Sequence, residues 1–149
     1  MGLSRNSGVK NMSYNNLVFT YGSLKKGYHN HFFLERAHLL QEAVTSDAAY
    51  QMHATDGLFP LVVSGDKKIA GELYVMDDAT LAELDRLETN GIAYNRIQIK
   101  LSGVDAFAWM YMFNEDLPLL PADGVEFLVG EEKGVQTWLR PEDYFHFED

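Results

Sequence analysis

The chain has 149 residues, 46% of them hydrophobic and 23% charged, which suits one compact domain with its own core and excludes a disordered or fibrous protein. Its 12 Lys and Arg stand against 22 Asp and Glu, a formal charge of -10, so nucleic acid and anionic membrane surfaces are poor partners. With no cysteine, disulfides, thiol nucleophiles and thiolate metal sites are ruled out, and a catalytic base or nucleophile must be oxygen or nitrogen.

Residues 1–15 read as a flexible N-terminal arm with no signal-peptide core, and residues 16–149 as a single domain. No segment approaches the ~20 apolar residues that span a bilayer. Leu17-Val18-Phe19-Thr20-Tyr21 is β-branched and aromatic and stops at Gly22-Ser23, a pattern for a buried strand feeding a glycine loop. Asn30 to about His38 predicts one or two helical turns with Asn30 as N-cap. Val44 to His53 and Phe59 to Val63 predict two strands, the second limited by Pro60 to an edge or bulge. Ile69 to Met76 is the clearest strand, and Gly71 inside it signals a bulge or the close approach of another backbone.

Asp77 and Asp78 then predict the start of a helix from Ala79 to Glu88, with Leu81, Leu84 and Leu87 on its inner stripe and Asn90-Gly91 at its end. Tyr94 to Leu101 and Ala106 to Phe113 read as a hairpin turning at Ser102-Gly103. Beyond Asn114 the pattern weakens. Phe127 to Val129 is compatible with a short strand, and Gln136 to Phe147 carries Trp138, Tyr144 and Phe145 to pack back onto the domain. The sum is an α+β fold, a small mixed β-barrel or curled sheet with flanking short helices.

On a helical wheel Glu88 falls about 20° from Leu81 and about 40° from Leu84, inside the leucine stripe. Burial and the negative end of the helix dipole both disfavour its charged form, which would poise it to take and return a proton near neutrality. The alternative is a frayed helix end with Glu88 turned to water or paired with Arg96. Tyr21-Gly22-Ser23-Leu24 opens a loop whose N–H groups suit an anion, a carboxylate in particular. Tyr28 and His29 stand where a phosphate loop needs Lys and Ser or Thr. From the loop alone, a tight strand-to-helix turn explains its glycines better than an anion does. Phe107, Trp109, Tyr111 and Phe113 sit at strand spacing as core, while Tyr74 and Tyr111 carry hydroxyls that need partners when buried, either being available to line a polar pocket. His29, His31, His38 and His53 show no metal-ligand spacing, so no metal and no cofactor is expected.

These residues resemble the γ-glutamylcyclotransferase-like family, most closely its γ-glutamylamine cyclotransferase branch. Tyr21-Gly22-Ser23-Leu24, continued by Lys25, Lys26, Gly27, Asn30 and His31, looks like the family's signature loop. Phe59-Pro60-Leu61-Val62-Val63, Gly71-Glu72-Leu73-Tyr74, Leu84-Asp85-Arg86-Leu87-Glu88 and Tyr94-Asn95-Arg96 follow in the family's order. Gly91-Ile92-Ala93 departs from the proline-containing spacer of the amine branch. The resemblance implies cyclisation of a γ-glutamyl amine or γ-glutamyl peptide to 5-oxoproline with release of the amine. It makes Glu88 the general acid/base and the loop Tyr21 to Leu24 the holder of the glutamyl α-carboxylate; Tyr111, on the strength of its hydroxyl alone, is a further candidate substrate contact. A cytoplasmic monomer acting on a small molecule, with no nucleic-acid or membrane partner, is the expectation. A non-catalytic module on the same fold, binding a small carboxylate or a protein, is the competing one.

Overall fold

The computed structural model describes residues 15–22, 34–55, 59–118 and 124–139. Strand β1 (Asn16–Thr20) lies antiparallel to β5 (Lys68–Met76) and parallel to β7 (Phe107–Phe113), and β6 (Tyr94–Lys100) closes a hairpin on β7. β2 (His38–Val44) pairs with β5, and β9 (Val135–Trp138) runs parallel to the start of β5 with β8 (Val129–Glu132) outside it. These form one mixed seven-stranded sheet. β3 (Tyr50–Ala54) and β4 (Pro60–Ser64) make a separate two-stranded sheet, tied to β9 where the Met52 N–H donates to Gln136 Oε1 at 2.7 Å.

The large sheet is curled rather than closed. β2 and β6 approach each other at one bridge, Thr45 to Leu101, where the Ser46 N–H donates to the Lys100 carbonyl and the Ser102 N–H to that of Val44. Strand alternation sorts side chains onto two faces. Inside the curl lie Phe19, Tyr21, Ile69, Leu73, Met110 and Trp138. Outside it, Val18, Tyr74, Met76 and Tyr111 meet Leu81 and Leu84 of helix α1 (Asp78–Leu87). Gly71 is needed at the crossing of β1 and β5, because a Cβ there would run into the Thr20 carbonyl oxygen and lie 2.9 Å from Phe19 Cζ.

Several expectations are corrected. The segment Val44 to His53 is not one strand: β2 ends at Val44, residues 45–49 turn, and β3 begins at Tyr50. The Thr45 hydroxyl stabilises that turn by donating to the Asp47 carbonyl while accepting the Ile69 N–H. The first five residues of β2 are exposed, so no alternation announces the strand. Of the helix predicted from Asn30 to His38, residues 34–37 form a turn and His38 already belongs to β2; residues 30–33 lie outside the described residues. Glu126–Leu128 is a 3-10 turn, not a strand, and the chain becomes extended only at Val129. Pro60 does open an edge strand, paired among the described residues with β3 alone.

Candidate active site

Helix α1 starts on Asp77, whose carboxylate accepts the Thr80 N–H at 2.8 Å. Its buried line runs through Thr80, Leu81 and Leu84, and the Glu88 N–H closes the last turn on the Leu84 carbonyl at 2.9 Å. Leu87, predicted on the inner stripe, is instead 36% exposed. The next inward position after Leu84 is i+4, which is Glu88 itself, whereas Leu87 turns toward the rim. Glu88 is thus the C-cap residue, held at φ -87° and ψ 0°.

Burial pushes the Glu88 carboxyl up from 4.5 to about 7. Three phenols surround it in electrostatic terms. Tyr94 at the start of β6 is raised by its own burial and then by the Glu88 charge. Tyr111 on β7 is raised by burial, by its hydrogen bond and proximity to Asp85, and by Glu88. Tyr21, just past β1, is raised well above its usual value by burial, by Tyr94 and by Glu88, while a main-chain hydrogen bond with Val62 works the other way. Tyr21, Tyr94 and Tyr111, from three separate segments of the sheet, thus each feel the Glu88 charge.

The alternative pairing of Glu88 with Arg96 does not occur. Arg96 donates to both carboxylate oxygens of Asp85, Nε to Oδ1 at 2.8 Å and Nη2 to Oδ2 at 3.2 Å. Its guanidinium carbon lies 4.1 Å from the centroid of the Trp109 ring. Among the described residues the ion pairs are Arg36 with Glu83, Lys67 with Glu131, and Arg96 with Asp85, and none involves Glu88.

Of the predicted loop, Tyr21 and Gly22 are described, and Ser23 and Leu24 lie outside the described residues, as do His29 and His31. The Tyr21 ring is buried and its hydroxyl donates to the Tyr111 carbonyl at 2.7 Å, so its side chain serves the core. Gly22 meets Pro60: a Cβ would stand 2.7 Å from the proline Cγ, which accounts for glycine by packing alone. The Tyr111 hydroxyl donates to Asp85 Oδ1 at 2.6 Å. Sequence reading missed Asp85 and Tyr94 as members of this cluster. The available signal was their placement: Asp85 lies three residues before Glu88 on neighbouring helix positions, and Tyr94 opens the hairpin strand that carries Arg96. Among the described residues no group of three or more His, Asp or Glu is gathered as a metal ion requires.

Comparison with known proteins gives a consistent result. The sequence profile described as "Gamma-glutamyl cyclotransferase, AIG2-like" matches residues 18–129. The "Gamma-glutamylcyclotransferase family protein YtfP" of Escherichia coli K12 is 35% identical over 111 residues, covering 74% of this chain and 89% of that protein. The "Gamma-L-glutamyl-butirosin B gamma-glutamyl cyclotransferase" of Niallia circulans is 30% identical over 108 residues, covering 66% of this chain and 67% of that one. In fold, the crystal structure of an AIG2-like protein from Mus musculus superposes with a TM-score of 0.60 at 21% identity, covering 85% of this chain and 97% of the mouse chain.

Proposed function

The chain belongs to the gamma-glutamyl cyclotransferase, AIG2-like family, and on that premise we propose that it cyclises a γ-glutamyl amine or γ-glutamyl peptide to 5-oxoproline, with Glu88 as general acid/base. The free α-amino nitrogen of the glutamyl group attacks its own γ-carbonyl carbon, the ring C–N bond forms, and the C–N bond to the leaving amine breaks. Glu88 takes a proton from the α-ammonium group and delivers one to the departing nitrogen. The nucleophile comes from the substrate, so this chemistry asks of the chain a binding loop, an acid of suitable pKa and donors for the developing oxyanion.

The observation that carries this reading is Glu88 itself, a carboxyl pushed to about 7 by burial and free of Arg96, which Asp85 engages. A general acid/base works best when its pKa lies near the operating pH. The main chain from Tyr21 through Leu24 is assigned to the glutamyl α-carboxylate, and Tyr111 to the substrate-facing wall. The name of the Niallia relative specifies a γ-glutamyl group on butirosin B, which supports a γ-glutamyl amide as the bond broken while leaving the amine open to variation.

The test is to incubate the protein with γ-glutamyl-ε-lysine and a panel of γ-glutamyl amino acids and to assay 5-oxoproline. Release from at least one substrate is expected. No 5-oxoproline from any of them, together with a ligand-dependent rise in melting temperature, would overturn the reading in favour of a binding module.

A further inference from the structure

The end of α1 is enclosed by a closed ring of hydrogen bonds. The Asp85 carboxylate binds the Arg96 guanidinium, the Arg96 main-chain N–H donates to Asn90 Oδ1 at 2.9 Å, and the Asn90 N–H donates to the Asp85 carbonyl at 2.8 Å. The Asn90-to-Asp85 bond spans Arg86, Leu87, Glu88 and Thr89. The Thr89 N–H also donates to the Arg86 carbonyl at 3.2 Å, which with the Asn90 bond makes a Schellman cap. That cap requires a left-handed residue, and Thr89 takes it at φ 51°, an unfavourable conformation for a β-branched side chain. The ring therefore holds a strained backbone next to the acid.

Resting on the reading of Glu88 as the proton carrier, we propose that Asp85 is its positioning residue, fixing the Glu88 main chain through the ring and keeping the Arg96 cation off the Glu88 carboxylate. Asp85 receives three side-chain donors, two from Arg96 on β6 and the Tyr111 hydroxyl on β7. It thereby pins the last turn of α1 to two strands at once. Asp85 and Glu88 occupy neighbouring positions three residues apart, so a guanidinium released by one carboxylate is within reach of the other. The groups that feel the Glu88 charge are Tyr21 just past β1, Tyr94 of β6 and Tyr111 of β7, and Tyr111 also feels Asp85 and Arg96. Arg96 is the cation in that set, and an ion pair with it would hold Glu88 ionised at neutral pH.

An ordinary helix-to-sheet ion pair would affect only stability, and the two roles separate in the pH profile. Wild type, Asp85→Asn and the double variant Asp85→Asn/Arg96→Gln are compared for 5-oxoproline release against pH. Asp85→Asn is expected to lower kcat by about 10- to 100-fold, with KM within about twofold, and to move the acid limb of kcat to lower pH. The double variant is expected to return that limb to its wild-type position while kcat stays low. A limb and kcat unchanged in Asp85→Asn, with only the melting temperature lowered, would overturn the proposal. Should Asp85→Asn fail to fold, Arg96→Gln opens the same ring without freeing a cation and is expected to lower kcat with KM within about twofold and the acid limb unmoved; an unchanged kcat contradicts the ring. If wild type releases no 5-oxoproline, it is the cyclotransferase reading that fails. The ring is then tested by carboxyl-carbon NMR titration of Glu88 in the same proteins: a midpoint lowered in Asp85→Asn and restored in the double variant sustains it, and an unmoved midpoint refutes it.

Discussion

The two ends of helix α1 treat an acid in opposite ways. At the N-terminus Asp77 is hydrogen-bonded by Thr80, which lowers its carboxyl below the usual value. At the C-terminus Glu88 caps the helix with its main chain while burial lifts its carboxyl to about 7. One acid is ionised and satisfied and serves the fold. The other is desolvated among phenols and is kept protonable, as a proton-transfer role requires. Ten helical residues separate an acid that serves the fold from the one proposed to carry the proton.

The largest effect that tests this contrast is on turnover. Glu88→Gln removes the proposed proton carrier while preserving shape, and is expected to lower kcat for 5-oxoproline release by about 10²- to 10⁴-fold with an unchanged circular-dichroism spectrum. A rate near that of wild type would take Glu88 out of the mechanism.

The next effect is on stability, and its sign differs between the two ends. Glu88 has a folded pKa above its unfolded value, so the native state binds the extra proton between them. Its contribution to stability is full below about 4.5 and is lost as pH rises through about 7. Glu88→Gln is therefore expected to be more stable than wild type at pH 8 by about 1–2 kcal/mol, and close to it at pH 4, in urea melts. Asp77 runs the other way. Its depressed carboxyl supports the fold above its unfolded value of 3.8 and loses that support as pH falls. Asp77→Ala is expected to cost about 1 kcal/mol at pH 7 through the lost cap, with the acid limb of kcat unmoved.

The smallest effect concerns the strain beside Glu88. Thr89→Gly fits φ 51° without the β-carbon penalty and is expected to raise stability by up to about 1 kcal/mol. A drop in melting temperature would show that the threonine side chain contributes something the backbone geometry does not account for.

Much of this contrast was legible in the sequence because a helix repeats. Asp77 before Ala79, and Glu88 on the Leu81 and Leu84 stripe, follow from periodicity. The Tyr94 to Phe113 hairpin follows from alternation and its Ser102-Gly103 turn. Leu87 misled because three- and four-residue spacings both continue a stripe, and only the end of the helix decides which one turns inward. β2 was hidden by its exposed first half, and the β8–β9 hairpin by short strands of mixed polarity. The Asp85, Arg96 and Asn90 ring was not legible, because two of its three bonds join α1 or its cap to a strand across a turn, and nothing in residue spacing says which acid a given arginine will choose.

The account stands most directly on the ionisation of Glu88 in the folded protein. Carboxyl-carbon NMR of glutamate-labelled protein, with Glu88→Gln to assign the resonance, would follow that group from pH 3 to 9. The structure predicts a midpoint near 7. A Glu88 midpoint at the ordinary glutamate value of about 4.3 would contradict the claim that burial at the end of α1 prepares this acid for proton transfer.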